Sequence, residues 1–417
     1  MFRLEASKVY LFIEFTASAF FSMMFAVISL YEATVAGLTP MQLVLVGTTL
    51  EVSAFLFEIP TGVVADVFSR RLSIIIGYIM MGLGFLVEAF FPAFLPILIA
   101  QVIWGVGYTF TSGATQAWIT DEIGEEKANP LFLRAARVGL TASLVGMGAT
   151  IFIGAENAAL PILVGAIGVT LIGIILIFIM PETGFRPTPM QDRNTWQHMW
   201  HTFNEGIRSV RTRPRLMNIL GVGLFYGLYS EGFDRLWVKH LLDTFEIPIL
   251  FGSNQVAFFT GLRLVVAVFS ILALRWVEKR VDSSSPLAIG RAMTWVTGGI
   301  IIAMLGFALS PLLFLTLCLY LTIDVLRDVR APLQTAWVNH KLDPQTRATV
   351  HSMTGQVDSI GQIGGGSSAL VARYFSVQAA IAFSALLLTP ALGLVRRANS
   401  ERGGEAKEDS STELSQE

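Results

Sequence analysis

The chain has 417 residues, 53% hydrophobic and only 14% charged, with a formal net charge of −2. Soluble globular proteins carry about 25% charged residues, so this composition excludes the ordinary soluble class and, lacking a basic excess, a nucleic-acid partner. One cysteine, Cys318, excludes a disulfide framework and a cysteine metal cluster.

A membrane-spanning helix needs about 20 apolar residues. The apolar runs predict twelve spans, near 9–31, 40–65, 72–91, 95–119, 131–153, 159–180, 216–238, 253–277, 286–309, 311–335, 348–372 and 376–395. Arg3 and Lys8 precede the first run as in a signal peptide. That run is about twice the length of an h-region and no A-x-A site follows it, so it reads as a retained first helix. The fold class expected is an all-α membrane protein. Its domains are a six-helix bundle over 1–180, a linker over 181–215, a second bundle over 216–395 and a polar, disordered tail over 396–417.

Lys and Arg set the orientation. The loops holding Arg70 and Arg71, Lys127 and Arg134, Lys279 and Arg280, and Lys341 and Arg347 are basic, as is the linker. The alternate loops near Glu32–Gly37, Phe91–Pro96, Gly154–Ala158 and Ser310–Pro311 hold no Lys or Arg, with Lys239 and Arg373 as the exceptions to the alternation. The pattern predicts a multi-pass protein of the cytoplasmic (inner) membrane with both termini cytoplasmic. In the linker, Trp196, Trp200, Phe203, Ile207 and Val210 recur at helical spacing beside Arg208 and Arg211, predicting an amphipathic helix on the inner surface. His198 and His201 lie one turn apart without further ligands, so no metal site is expected.

The two halves look like copies. Ala117-Trp118-Ile119 aligns with Ala336-Trp337-Val338, Leu50-Glu51 with Leu262-Arg263, and Asp66 with Glu278. Such a repeat fits a transporter with its site near the midplane between the halves.

In the second span, Glu51 and Glu58 are seven residues apart and so share one helix face. Carboxylates in an apolar run are costly in lipid and are functional candidates by default. At the helical rise, Glu58 lies about 12 Å and Glu51 about 22 Å from the inner end. Such a carboxyl is neutral among lipid or protein and ionises when water enters, which is what proton coupling requires. Glu51, Glu58, Asp324 and Asp358 are the proton-coupling candidates. Arg263 is a counter-ion candidate, with a static Arg263–Asp324 pair as the alternative. Candidate substrate-binding residues are Glu14, Phe21, Tyr108, Tyr226, Tyr229, Arg263 and Gln356, the aromatics (with Phe20 and Trp104) suiting an amphipathic ligand.

Directly after the second span come Gly62, Asp66, Arg70 and Arg71. Gly62 permits close approach of a neighbouring helix. Asp66, at a helix C-terminus, needs a cation, which Arg70 or Arg71 supplies. This GxxxDxxxRR pattern resembles the loop between helices 2 and 3 of the major facilitator superfamily. Pro181-Glu182-Thr183-Gly184 resembles the family's motif after helix 6. The resemblance implies two six-helix bundles that rock in alternating access. It also implies a cytoplasmic gate built from Gly62, Asp66, Arg70, Arg71, Asp121 and Glu182. The second-half copy keeps only Glu278, Lys279 and Arg280.

The paired glutamates resemble the drug and tetracycline efflux branch, although helix 5 lacks the proline of that branch's glycine motif. This implies proton-coupled efflux, by antiport, of small amphipathic compounds. The alternative is a proton symporter for a sugar or organic acid, to which Arg263, Gln356 and Gln362 lend themselves. No HExxH, GxSxG or GxxxxGK[ST] pattern occurs, so neither an enzyme nor direct ATP drive is expected. The partners expected are a small-molecule substrate, protons and the lipid bilayer. The drive is a proton gradient with no cofactor, and the protein is expected to act as a monomer.

Overall fold

The computed structural model describes residues 4–187, 214–248, 255–282, 285–339 and 344–399. The expected linker helix, with Trp196, His198 and His201, and the tail beyond residue 399 lie outside them. The described backbone is helical, with no strand. Six rods form the first half: α1 (Ala6–Thr34), α2 (Pro40–Phe68), α3 (Arg70–Phe90), α4 (Phe94–Ile123), α5 (Glu125–Ile153) and α6 (Ala159–Ile179). Six more follow: α7 (Pro214–Thr244), α8 (Val256–Arg280), α9 (Pro286–Leu309), α10 (Leu313–Asn339), α11 (Pro344–Gly365, continued by Ser368–Tyr374) and α12 (Val377–Asn399).

Local chemistry sets the ends. Thr39 and Gln42 form a reciprocal capping box with Pro40 in the first turn, a strong start for α2. Its far end relaxes into a π-helical turn over Val64–Phe68, where the ladder slips by one residue. Ser69 then caps α3 through the Leu72 N–H, at 2.9 Å. Gly124, at φ 81°, lets α5 start immediately after α4, so α5 begins at Glu125 and not near 131.

Among the described residues, nine rods are apolar enough throughout to be read as spans by composition alone. The other three are α7, α10 and α11. Acids and arginines interrupt the apolar runs of two of these: Glu231, Asp234 and Arg235 in α7, and Asp324, Arg327, Asp328 and Arg330 in α10.

The chain divides into two compact units. One is Met1–Thr195 with Leu241–Leu264, and the other is Trp196–His240 with Val265–Glu417. In the first unit, glycines let backbones touch: a Cβ at Gly146 of α5 would run into the Ala19 carbonyl of α1. In the second, a Cβ at Gly227 of α7 would collide with the Asp358 carbonyl of α11. Small residues at such crossings are how membrane helices gain packing contact where lipid offers no hydrophobic drive.

Candidate functional site

The first unit holds a cavity of about 450 Å3 between α1, α3, α4 and α5. Its lining includes Glu14, Phe21, Phe25, Tyr78, Trp104 and Tyr108. The aromatic wall is continuous: Phe25 lies edge-on to Trp104 at 6.0 Å, and Trp104 stacks on Tyr108 at 6.1 Å. Glu14 is the one charged residue among the lining side chains. The Trp104 Nε1–H is buried without a partner among the described residues. The space is therefore largely apolar and aromatic, with one carboxyl group and the hydroxyls of Ser18, Ser22, Thr111 and Ser143. Its size falls within the range of about 300–1,000 Å3 usual for small-molecule sites.

Three of the sequence-predicted substrate residues, Glu14, Phe21 and Tyr108, thus share one cavity. Trp104, expected among the aromatics, lines it as well, whereas Phe25 and Tyr78 were not anticipated as parts of it. Phe20 is not in the lining; its ring sits where a side chain at Gly168 of α6 would go. Glu51 and Glu58 stand close enough to Tyr108 for their charges to act on its hydroxyl. Glu51 is half-buried, whereas Glu58 is exposed at the protein surface and not enclosed by other side chains.

A second cluster lies where α2 runs into α3. The Arg70 guanidinium meets Asp121 of α4 at 2.5 Å and Asp66 only at 3.9 Å. Asp121 is therefore the stronger partner, although Asp66 is the acid that the sequence pairs with it. Glu182, after α6, accepts from the Arg71 N–H at 2.9 Å and from the Ser69 hydroxyl. The Arg71 side chain donates to the Ile177 carbonyl at 2.5 Å. Next door, Glu122 takes the N–H groups of Thr183 and Gly184, and the Trp118 indole donates to the Pro181 carbonyl at 2.8 Å. Gly184 is pressed on the Asp121 backbone, where any side chain would collide. These bonds fasten α3, α4 and the Pro181–Gly184 segment into one block.

One expectation fails there. A Cβ built at Gly62 meets no described atom within 4 Å, so the close helix approach expected of this glycine is not made. The π-helical turn that follows it carries the change of direction instead.

The second unit gathers its charges between α7, α10 and α11. Arg327 grips Asp234 with both terminal nitrogens, at 2.5 and 2.7 Å, and reaches Asp324 at 3.5 Å. Its guanidinium lies 5.8 Å from the ring centres of Tyr229 and Phe233. Arg330 lies 4.1 Å over the Tyr226 ring and bonds Gln334. Its Nε–H is buried with no partner among the described residues. The Tyr226 hydroxyl is tied to Thr297 at 2.7 Å. Asp358 accepts from Gln362, one turn on, at 2.9 Å. Tyr226, Tyr229 and Asp324 therefore belong to one network within the second unit, and Asp358, whose carbonyl a Cβ at Gly227 would meet, borders it. Gln356 is half-buried on α11, and Arg263 is half-buried on α8.

Sequence reasoning picked out Asp234 among the polar residues late in helix 7 but missed Arg327 and Arg330 as site residues. The signal was present: Asp324, Arg327, Asp328 and Arg330 alternate in sign at helical spacing inside one span. It also missed Glu88, which is fully buried in α3 and accepts from the Gln101 side chain at 3.1 Å. Among the described residues, no group of three His, Cys, Asp or Glu could hold a metal ion.

Among the described residues, twelve helical rods, an aromatic cavity with one carboxylate and a buried charge network fit a membrane transporter. The Major Facilitator Superfamily model matches residues 10–366, and the chain belongs to that family. It is 22% identical over 330 residues to YxaM of Bacillus subtilis strain 168, an uncharacterised MFS-type transporter, with 78% of each chain covered. The nucleoside transporter NupG superposes with a TM-score of 0.73 at 14% identity, covering 95% of this chain and 99% of that one. A bacterial homologue of the human lysosomal transporter Spinster, in an inward-facing unoccupied conformation, gives 0.71 at 15%, covering 95% and 97%. At these identities the structural likeness establishes the fold alone.

Proposed function

We propose that this transporter exports small amphipathic compounds in exchange for protons, and that the Glu14 cavity receives an aromatic, positively charged substrate. The observation that carries the reading is the cavity's make-up: one carboxylate, no cation, and walls of Phe21, Phe25, Tyr78, Trp104 and Tyr108. A cation over a desolvated aromatic face gains about 0.5–2 kcal/mol, and Glu14 supplies the charge that apolar lining cannot. Alternating access exposes the site to each side in turn. Glu51 and Glu58, electrostatically within reach of Tyr108, take up protons on one side and release them on the other. The Arg70–Asp121 and Glu182 block is the moving part of the inner gate, in a cytoplasmic membrane with both termini inside.

The test uses the purified protein in vesicles with an imposed pH gradient. Ethidium and tetraphenylphosphonium should dissipate the gradient in the parent and not in Glu14→Gln. No gradient loss with either cation refutes the reading. A second reading, proton symport of an organic acid, draws on the unpartnered Nε–H of Arg330, a donor suited to a carboxylate. It predicts co-directional movement of protons with small organic acids in the same vesicles.

A further inference from the structure

We propose that Asp358 is a proton carrier of this transporter and that Arg330 is its alternating partner. When Asp358 is protonated it rests on Gln362 while Arg330 lies on Tyr226. When the Asp358 O–H breaks and its proton passes to water, the carboxylate takes the Arg330 Nε–H. The inference rests on the proton coupling proposed above and adds to Glu51 and Glu58 a further carrier in the second unit.

Three observations lead there. Gly227 of α7 is pressed against the Asp358 backbone, so Asp358 sits at the contact between α7 and α11. The residue before Gly227 is Tyr226, the ring that carries Arg330 at 4.1 Å. Arg330 and Asp358 therefore flank the same short piece of α7.

The cations are unequally engaged. Arg327 is held by two carboxylates, Asp234 in a two-pronged grip and Asp324 at 3.5 Å. Arg330 bonds only the amide of Gln334, and its Nε–H has no partner among the described residues. Asp358, in turn, bonds an amide and not a guanidinium. A buried N–H without an acceptor is costly, and so is an anion without a cation in a low-dielectric interior. One swing of Arg330 resolves both. The charged groups acting on Asp358 are Arg330 and Arg327 from α10 and Asp234 from α7, with Arg330 the stronger of the two cations.

Arg330 is thus a positioning residue, and the readout must be one that packing alone does not move. Infrared difference spectra of the purified full-length protein, titrated from acid to alkaline pH, report the carboxyl band that disappears on deprotonation. In the parent one titrating band is expected to belong to Asp358. It should vanish in Asp358→Asn, return in Asp358→Glu and persist in Glu14→Gln. An opposite charge within about 4–6 Å moves such a midpoint by about 1–3 pH units. Arg330→Gln should therefore raise the midpoint by at least about one unit, tenfold in proton affinity. Arg330→Lys keeps the charge but loses the Nε–H, and should raise it less. It also serves should the glutamine variant not fold. Persistence of every titrating band in Asp358→Asn, or an unmoved midpoint in the folded arginine variants, overturns the assignment. The vesicle experiment reads separately: failure of ethidium to move protons rejects cation antiport and leaves this titration standing.

Discussion

Glu182 reaches from the segment after α6 to the start of α3, and its removal should loosen the block that joins them. The first N–H groups of a helix have no partner within it and carry partial positive charge. At α3 these needs are met by Ser69, which caps the Leu72 N–H, and by Glu182, which takes the Arg71 N–H and the Ser69 hydroxyl. A hydrogen bond to a charged group contributes about 1.5–3 kcal/mol, and a carboxylate at a helix N-terminus about 0.3–1 kcal/mol. Glu182 is half-buried, so solvent screening favours the lower ends of both ranges. Glu182→Ala should then cost about 2 kcal/mol and Glu182→Gln, which keeps one acceptor oxygen, about 1 kcal/mol. For a unit of this size 1 kcal/mol lowers Tm by about 2–4 °C. The alanine variant should unfold about 4–8 °C below the parent and the glutamine variant about half as far. Intrinsic tryptophan fluorescence of the protein in lipid nanodiscs measures both. An alanine variant within about 1 °C of the parent, or a glutamine variant equal to it, refutes the reasoning.

Gly146→Val should disrupt the α1–α5 crossing, because its Cβ would meet the Ala19 carbonyl, whereas Gly148→Ala, with open space at the Cβ, should be silent. Yield of folded protein by size-exclusion chromatography separates the two. Arg327→Gln leaves Asp234 without its two-pronged cation and should destabilise by about 3–5 kcal/mol. The double variant Asp234→Asn with Arg327→Gln should recover part of that loss in the same unfolding assay, since of the two carboxylates on Arg327 only Asp324 then loses a cation.

The spans and the α2–α3 cluster were legible because their signals are local. Apolar length marks a span, and Arg70, Arg71 and Glu182 stand in short polar gaps between spans. The identity of partners was less legible. Asp121 lies fifty-one residues from Arg70, and only the crossing of α3 and α4 makes it a closer partner than Asp66, one turn away. Glu14, Phe21 and Tyr108 were recognisable as unusual in their helices, but that they enclose one space depends on how α1 and α4 lean together. Arg327 and Arg330 were overlooked for a similar reason. The charges of α10 fall inside the predicted span 311–335, but nothing local in the sequence shows that Arg327 meets Asp234 of α7 in a buried network.

The internal repeat shows how two related halves come to do different work. Trp118 and Trp337 occupy aligned positions in α4 and α10, and both are 1% exposed, so the packing role of the ring is common to both. Their polar surroundings are not. The Trp118 N–H donates to the Pro181 carbonyl, while the Trp337 N–H has no partner among the described residues. A few turns before Trp118, α4 carries Trp104, Tyr108 and Thr111 toward an aromatic cavity. At the corresponding depth α10 carries Asp324, Arg327 and Arg330 into a salt-linked network. Apolar packing constrains the shape of each repeat, and shape tolerates many side chains on its inward face. A single carboxylate among rings suits recognition of a cation. In the proton coupling proposed above, two arginines among three acids let each protonation be balanced by a neighbouring cation. On this division, replacing Glu14 should alter which compounds are carried, and replacing Asp358 should alter whether their movement is tied to protons.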